Sequence, residues 1–445
     1  MKPASSIDIG ALIDRGTWSG YQRRLVVLSA LTLVFDGVDL QLMGVVIPEI
    51  MRDWAVARSA FAPVLAVGMI GMLVGAAAAG IVGDRYGRKR TLLGSIVVFG
   101  AASVAMAAST SLLSLGLLRL VVGFGIGGAI PNASALVAEY VPARHRPLAV
   151  TFAIVCVPLG ASLAGLLAAA VVPVFGWRAL FVAGGVIPLA AALLLSWALV
   201  ESPRYLARRP DRWPELERIL ARFGHSTPAD ASFSDSAEAL AGRATVSALL
   251  EPSFRRDTLG LWAAFASCLL AVYLGFNWIP AMLTGAGLSP TLGSLGITMF
   301  NFGGVIGAIA GALAFYRIGS RTTMIVMSGG AAAGAAALAF TSLGPDTSTG
   351  VLMTLLAITG GLINAVQTTM YALAAQMYPA AIRSTGVGTA AGIGRVGAIG
   401  STYIGAWAIE GGGSVLFFAT VALAMVLTAA GLSTIERHIR PTVSR

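Results

Sequence analysis

Two aspartates, Asp36 and Asp39, lie near the middle of the apolar segment 25–50. At this spacing both side chains leave the same face of a helix, about 5–6 Å apart. A carboxylate at the centre of a membrane helix costs about 2.5–3.5 kcal/mol. Mutual repulsion and lost hydration both favour the protonated form of at least one of them. The pair is therefore predicted to couple a proton, with Asp39 as the exchanging group and Asp36 holding the local network. An aspartate satisfied by a helix terminus or by a neighbouring Ser or Thr is the alternative.

Two arginines fall inside other apolar segments. Arg119 is about seven residues into the segment 112–138, hence about 10 Å below the membrane surface. A lone buried guanidinium is unfavourable, so Arg119 is expected to pair with one of the aspartates or with a substrate carboxylate. A permanent ion pair that only fixes two helices is the alternative. Arg395 lies near mid-membrane in the segment 384–409, where it would suit an anionic substrate or cap a broken helix.

Aromatic and amide side chains cluster in the seventh, eighth and tenth apolar segments. Rings offer faces for stacking on a flat aromatic ligand, and amides offer hydrogen bonds to hydroxyl groups on its ring. Each ring alone is as readily explained by core packing or by an interface belt, but the set is better evidence. The predicted substrate-binding set joins Arg119 and Arg395 to Tyr273, Phe276, Asn277, Trp278, Phe300, Asn301, Asn364, Gln367 and Tyr371.

A set of membrane helices must position these residues. The chain of 445 residues is 57% hydrophobic and only 11% charged, whereas a soluble protein is usually about 25% charged. Apolar runs near the ~20 residues needed to cross a bilayer recur along the chain. Twelve are predicted, near 25–50, 61–82, 91–109, 112–138, 147–172, 178–200, 257–284, 291–315, 322–342, 350–376, 384–409 and 413–435.

The twelve segments divide into six and six around a polar stretch of 56 residues. This spacing predicts an all-α polytopic membrane protein of two six-helix halves, with a substrate site between them near the midplane. One short helix is expected in the polar stretch, around RWPELERILARFG. The predicted organisation is a cytoplasmic N-terminal segment 1–24, a first half 25–200, a central loop 201–256, a second half 257–435 and a cytoplasmic tail 436–445.

The basic residues indicate orientation. Of 30 Lys and Arg, 25 fall in the termini, the central loop and alternate connections, and only Arg52 and Arg58 fall in an outer loop. By the positive-inside rule both termini are cytoplasmic, in the cell inner membrane. The net charge of +10 is thus a topology signal, and no nucleic-acid partner is expected. The bilayer is the expected surrounding partner of a monomer, with no cofactor and no metal.

A group of charged residues near the inner face is predicted to gate the site. Glu139 is 20 residues beyond Arg119, about 30 Å along one helix, so it is expected to meet Arg85, Arg88 or Arg146 instead. Asp84 can face a helix N-terminus or an arginine of the other half and hold the inner side closed. The predicted gating set is Asp84, Arg85, Arg88, Glu139 and Arg383.

Glycines and an internal repeat add detail to the helix arrangement. GIVGDRYGRKRT after the second segment matches GALAFYRIGSRTT after the eighth when Gly87 is aligned with Gly319, and this alignment places Tyr316 opposite Asp84. Small residues four apart predict close helix contact. Such spacings are Gly71 with Gly75, Gly123 with Gly127, and Gly303 with Gly307 and Gly311.

Several stretches resemble a known family. GIVGDRYGRKR resembles the signature loop of the major facilitator superfamily, LLRLVVGFGIGGA another of its motifs, and ESPRYL a third. Four finer stretches are similar to the aromatic acid:proton symporters: DGVD, GGAIPNASALVAEYVPARHRP, FGWRALFVAGGVIPL and YALAAQMYPAAIRSTGVGTAAGIGRVGAIG. The resemblance covers nearly the whole chain. One departure is Val38, where the family usually has an aromatic residue.

The resemblance implies a proton-coupled secondary transporter, not an enzyme, that imports an aromatic carboxylate of the hydroxybenzoate or benzoate kind. Its partners would be the acid anion and protons, and Arg395 would belong to the functional set. Two alternatives stay open: a drug or organic-anion:proton exporter of the same fold, and a transporter-like sensor. Such exporters tend to carry a Gly-Pro pair in the fifth segment, which CVPLGASLAG lacks, and no large signalling domain supports a sensor.

Overall fold

The computed structural model describes residues 6–225, 227–228, 231–235, 246–341, 343–344 and 347–439, without the side chains of residues 6, 147, 151, 316, 380, 381, 383 and 384. Most of what it describes is α-helix. Apolar stretches fold this way in a membrane because a helix satisfies its backbone N–H and C=O groups internally, where no water can do so.

Ten of the described helices are long and apolar enough to cross a membrane. In the first half they are α2 (Gly20–Trp54), α3 (Ala62–Tyr86), α4 (Arg88–Met106), α5 (Leu112–Tyr140) and α6 (Arg146–Ala198). In the second half they are α10 (Arg255–Gly285), α11 (Pro290–Ile318), α12 (Ser320–Phe340), α13 (Thr349–Met377) and α14 (Ala380–Thr434). The short helices are α1 (Ile9–Arg15), α7 (Pro203–Ala207), α8 (Trp213–Phe223) and α9 (Val246–Leu249), with 3-10 turns at Arg58–Phe61 and Pro210–Arg212.

Two of the long helices are broken by glycine. α6 and α14 contain 53 and 55 residues, about 80 Å of helix against a hydrocarbon layer of about 30 Å. Gly176 interrupts α6 with φ 74°, and Gly413 interrupts α14 with φ 59°, a region that glycine enters without steric cost. Both breaks fall where two predicted segments adjoin. Counting each broken helix twice is consistent with the twelve predicted crossings.

Backbone contact through glycine joins two pairs of helices. A Cβ on Gly75 of α3 would collide with the Phe124 carbonyl of α5, and one on Gly127 with the Met72 carbonyl of α3. In the second half, a Cβ on Gly303 of α11 would meet backbone of α13 in the same way. The predicted close packing at these spacings is confirmed. Small residues let the backbones approach where lipid provides no hydrophobic drive for association.

The internal repeat is visible in the backbone. Gly87 joins α3 to α4 with φ 106° and ψ 148°, and Gly319 joins α11 to α12 with φ 96° and ψ 156°. Both glycines end one helix and begin the next. The two halves therefore share this turn, although Asp84 has no acidic counterpart in the second half.

The halves touch unequally along their length. We call the end of the bundle that carries the termini and the central connector the terminal end, and the opposite end the distal end. Hydrogen bonds described at the terminal end stay within one half. Those described between the halves lie toward the distal end, linking Gln41 to Phe276 and to Asn301, Thr298 to Ser162, Arg58 to Ala281 and Ser59 to Glu410. The structure is therefore closed at its distal end.

The N-terminal segment and the connector pack together at the terminal end. Strand β1 (Ser6–Asp8) pairs in parallel with β2 (Ser232–Ser234). Asp14 of α1 forms ion pairs with Arg146 and, at 3.4 Å, with Arg204. The helix predicted in the connector is confirmed as α8, whereas the strand pair and the Asp14 contacts were not predicted.

Candidate functional site

An ion pair joins α2 to α5 inside the first half. Arg119 Nη1 lies 3.3 Å from Asp39 Oδ2, and the two side chains are 3% and 1% exposed. Gly68 of α3 makes room for the arginine, because a Cβ there would come within 2.8 Å of Arg119 Cγ. The predicted pairing of Arg119 with one of the two aspartates is observed. Each charge compensates the other at a position where both side chains are buried.

Asp36 has no such compensation. It lies one turn before Asp39 and is 1% exposed, yet neither carboxylate oxygen has a hydrogen-bond partner among the described residues. Its side chain is within electrostatic range of Asp39 and of Arg395. Beside it, Gly37 packs so closely on the Val157 carbonyl of α6 that a Cβ would collide. An unpartnered buried carboxylate is far less costly protonated than ionised.

Arg395 reaches this region from the second half. It lies in α14, half-buried, and its Nη1 is buried without a hydrogen-bond partner among the described residues. Asp36 and Tyr371 are both within its electrostatic range. The break in α14 at Gly413 is several turns away, which removes the alternative that Arg395 caps a broken helix. An open guanidinium donor suits an anionic ligand.

Aromatic side chains form a row from α10 to α11. The rings of Tyr273 and Phe276 are 5.7 Å apart, and those of Phe276 and Phe300 are 6.4 Å apart, both edge-on. Phe300 lies against Gly275, whose missing side chain leaves space for the ring. Tyr273 is within electrostatic range of Arg119, so the row begins beside the ion pair of the other half. Edge-on rings at these separations attract one another.

The predicted amides occupy different surroundings. Asn301 donates to the Ile297 carbonyl at 3.0 Å and to Gln41 Oε1 at 3.3 Å. Asn277 Nδ2 is buried without a partner among the described residues. Asn364 donates to the Gly360 carbonyl of its own helix at 2.9 Å. Gln367 is half-buried on the same helix, α13.

Two of the predicted aromatic residues pack within the second half. Trp278 is fully buried and donates to the Ser401 carbonyl at 3.1 Å, with its ring against Gly405 of α14. Tyr371 packs edge-on against Phe265 with ring centroids 5.0 Å apart. Trp278 therefore joins α10 to α14, away from the row of rings, while Tyr371 stays beside Arg395.

The predicted gating residues make their described contacts within the first half. Arg88 lies 2.6 Å from Asp84 and 3.8 Å from Glu139, which also accepts a hydrogen bond from the Ser202 hydroxyl. The predicted meeting of Glu139 with Arg88 is observed. The Arg85 carbonyl accepts from Arg209 at 2.9 Å. The side chain of Arg383 lies outside the described residues.

Sequence reasoning missed Gln41. It lies two residues after Asp39, is fully buried, and donates to the Phe276 carbonyl of α10 at 2.6 Å. In the sequence it is one polar residue in an apolar run. The available signal was that a third polar side chain in the same membrane segment also needs a partner.

The site thus lies where the two halves meet. The first half contributes the two aspartates and Arg119, and the second half contributes Arg395 and the rings. An arrangement of this kind can bind an organic anion and a proton between the halves and expose them to either side in turn. It contains the elements of a secondary transporter. Among the described residues no cluster of metal-binding side chains is found.

Comparison with known proteins agrees with this class. The model of the Major Facilitator Superfamily matches residues 29–402. The gallate transporter of Pseudomonas putida is 36% identical over 401 residues, which are 90% of this chain and 88% of that protein. The 4-hydroxybenzoate transporter of the same species is 36% identical over 90% and 88%. The benzoate transport protein of Acinetobacter baylyi is 29% identical over 91% and 87%.

Solved structures show the same fold. The xylose transporter of Escherichia coli in an inward-open conformation superimposes with a TM-score of 0.75 at 16% identity, over 95% of this chain and 98% of that one. The chain belongs to the Major Facilitator Superfamily and is a transporter, not an enzyme. The resemblance to its aromatic acid transporters, inferred from the motifs, is confirmed.

Proposed function

We propose that this protein imports an aromatic carboxylate of the hydroxybenzoate or benzoate kind together with protons. The observation that carries the proposal is a pair of ionisable groups from opposite halves, the buried Asp36 and the half-buried Arg395. Asp36 and Arg395 are within electrostatic range of each other, and each has buried polar atoms without a partner among the described residues. One can take a proton and the other a carboxylate.

The substrate carboxylate is assigned to Arg395. Its open Nη1 can donate to a carboxylate oxygen, and a planar guanidinium can hold both oxygens at once. Tyr371 beside it and the row of Tyr273, Phe276 and Phe300 offer ring faces and edges to a flat ligand. The relatives named for gallate, 4-hydroxybenzoate and benzoate support an acid of this shape.

The exchangeable proton is assigned to Asp36. The sequence favoured Asp39 for this role, but Asp39 is held by Arg119 and Asp36 is not. A substrate carboxylate near an ionised Asp36 is repelled, and protonation removes that repulsion. Proton and substrate therefore bind with positive, reciprocal coupling, about 1–3 kcal/mol in typical cases.

The orientation of the protein in the membrane and its inner gate are assigned from the distribution of charge. The distribution of Lys and Arg favours cytoplasmic termini in the inner membrane, so the closed distal end faces outward. The terminal end then faces the cytoplasm, where Asp84, Arg88 and Glu139 form a linked group. We assign these residues to an inner gate, in which the group rearranges when the two halves meet at the cytoplasmic face.

Transport in proteoliposomes tests the proposal. Vesicles loaded with 4-hydroxybenzoate should exchange it for labelled 4-hydroxybenzoate, and an inward proton gradient should drive accumulation that a protonophore abolishes. Exchange without gradient-driven accumulation would remove the proton coupling. Binding without any exchange would identify a sensor, and accumulation of cationic drugs in inverted vesicles would identify an exporter.

A further inference from the structure

Two amides, Gln41 and Asn301, meet beside the row of rings at the boundary between the halves, and a third, Asn277, follows Phe276 in α10. Gln41 of α2 is fully buried, and its Nε2 donates to the Phe276 carbonyl at 2.6 Å. Its Oε1 accepts from Asn301 Nδ2 of α11 at 3.3 Å. The next residue after Phe276 is Asn277, which is 2% exposed. Gln41 therefore fixes one amide directly and holds the backbone that carries the other.

The orientation of the Asn301 amide is determined by its partners. Its nitrogen donates both to Gln41 Oε1 and to the Ile297 carbonyl, so both amide hydrogens are used. Rotating the amide by half a turn would set its oxygen against two acceptors. The Asn301 Oδ1 atom is consequently a fixed acceptor, and it is buried without a partner among the described residues. A buried open acceptor favours a ligand group that donates a hydrogen bond.

Asn277 supplies the complementary group. Its Nδ2 is buried without a partner among the described residues, so a donor is open on the helix turn that also carries Phe276. A phenolic hydroxyl both donates and accepts one hydrogen bond. An ionised carboxylate only accepts, so it cannot satisfy Asn301 Oδ1.

We propose that Asn301 and Asn277 bind a ring hydroxyl of the substrate, and that Gln41 positions them. This inference rests on the proposed transport of aromatic acids and narrows the substrate to hydroxylated ones. It also sets the direction of the bound molecule. The hydroxyl points to the Asn301 and Asn277 amides, and the carboxylate points to Arg395. A hydroxyl next to the carboxylate, as in 2-hydroxybenzoate, bonds to that carboxylate instead and does not reach the amides.

Binding of a ligand series to the purified full-length protein tests this proposal. Wild type should bind 4-hydroxybenzoate or 3-hydroxybenzoate about 10-fold or more tightly than benzoate, because benzoate leaves buried polar atoms unpaired. It should bind 2-hydroxybenzoate no better than benzoate. Asn301→Leu and Asn277→Leu should each reduce the preference for the hydroxylated acid to about 3-fold or less, with benzoate affinity nearly unchanged.

Asn132→Leu is the matched control. Asn132 is also a fully buried amide, but it donates to the Ala79 and Gly128 carbonyls of the first half, away from the three amides. Its removal should leave the ratio of the two affinities as in wild type. If Asn301→Leu does not fold, the hydroxyl assignment is tested by Asn277→Leu and by the affinities of wild type for the ligand series.

Equal wild-type affinity for benzoate and its 3- and 4-hydroxy forms overturns the hydroxyl assignment and leaves aromatic acid transport standing. An equal loss of affinity for benzoate and for the hydroxylated acid in Asn301→Leu and Asn277→Leu also overturns the hydroxyl assignment. Failure of wild type to bind any of the acids overturns the proposed function itself.

Discussion

Asp36 and Asp39 share a helix, a side-chain chemistry and complete burial, yet their surroundings differ. Asp39 is 3.3 Å from the guanidinium of Arg119 on a neighbouring helix of the same half. Asp36 has no hydrogen bond among the described residues and is in electrostatic range of Arg395 from the other half. One carboxylate is tied within a half, and the other is open toward the boundary between the halves.

The contrast shows how one turn of helix can hold two roles. A carboxylate that is paired with a guanidinium of the same half fixes α2 to α5. An uncompensated one changes its protonation at low cost, and its energy depends on what the other half places beside it. Coupling between proton and substrate needs an uncompensated carboxylate such as Asp36. The paired Asp39 holds two helices of the first half together.

Asp36→Asn should produce the largest change. The amide imitates a protonated carboxyl group, so substrate should still bind and exchange, with an affinity that no longer varies between pH 5 and 8. Accumulation driven by a proton gradient should fall to equilibrium, an inside-to-outside ratio of about one. Proton-driven uptake and equilibrium binding, measured side by side in proteoliposomes and detergent, check this. Retained accumulation would show that Asp36 does not carry the proton.

Asp39→Asn should instead reduce stability. It leaves Arg119 buried without a counter-charge, which costs about 3–5 kcal/mol when one member of a buried pair is removed. Chemical unfolding in detergent measures the loss. The double variant Asp39→Leu with Arg119→Met should recover most of it, and Asp36→Asn should not destabilise. Equal stability losses at the two aspartates would contradict the distinction between them.

Arg395→Lys should have a smaller effect than the two aspartate variants, and it should act on substrate affinity. Lysine keeps the charge but loses the planar pair of donors. Affinity for 4-hydroxybenzoate should fall about 10-fold, equivalent to ~1.4 kcal/mol, while that for 4-hydroxybenzamide, which is uncharged, should change little. Isothermal titration of both ligands decides the matter. A parallel loss for acid and amide would mean that Arg395 supports the helix and not the carboxylate.

Asp84→Asn should have the smallest effect on stability. The Asp84 side chain is 56% exposed beside Arg88, and exposed pairs contribute about 0–1 kcal/mol. Transport should still decrease, because Arg88 then loses one of the two acids that position it at the terminal end. Cysteine accessibility from the cytoplasmic side should report a shift toward inward-open states. Unchanged accessibility and transport rate would exclude Asp84 from the gate.

Much of the architecture could be predicted from periodicity and glycine spacing. The apolar runs overlap the long helices, and the two breaks at Gly176 and Gly413 fall at predicted boundaries. The sequence also limited the candidate partners of Arg119 to the two aspartates or a substrate carboxylate, because a buried guanidinium needs a counter-charge. These features follow from local sequence and from the cost of burying charge.

The remaining features depend on which helix faces meet. Spacing places Asp36 and Asp39 on one face, but only packing against α5 decides which of them Arg119 reaches. Gln41 contacts residues more than 200 positions away, so its partners have no local signal. The strands β1 and β2 are three residues each, Ser-Ile-Asp and Ser-Phe-Ser, which is too short for their alternation of polar and apolar residues to predict a strand pair.

The glycine contacts of α3 with α5 and of α11 with α13 have a mechanical consequence. Where backbone touches backbone, no side chain can change rotamer to let one helix shear past the other. Each half should therefore move as a rigid body during transport. Spin labels attached in pairs across α3 and α5 should keep a constant separation throughout the transport cycle, while pairs across α2 and α10 should report its full amplitude. Because the native thiols Cys156 and Cys268 are buried, introduced surface cysteines should react with the label first.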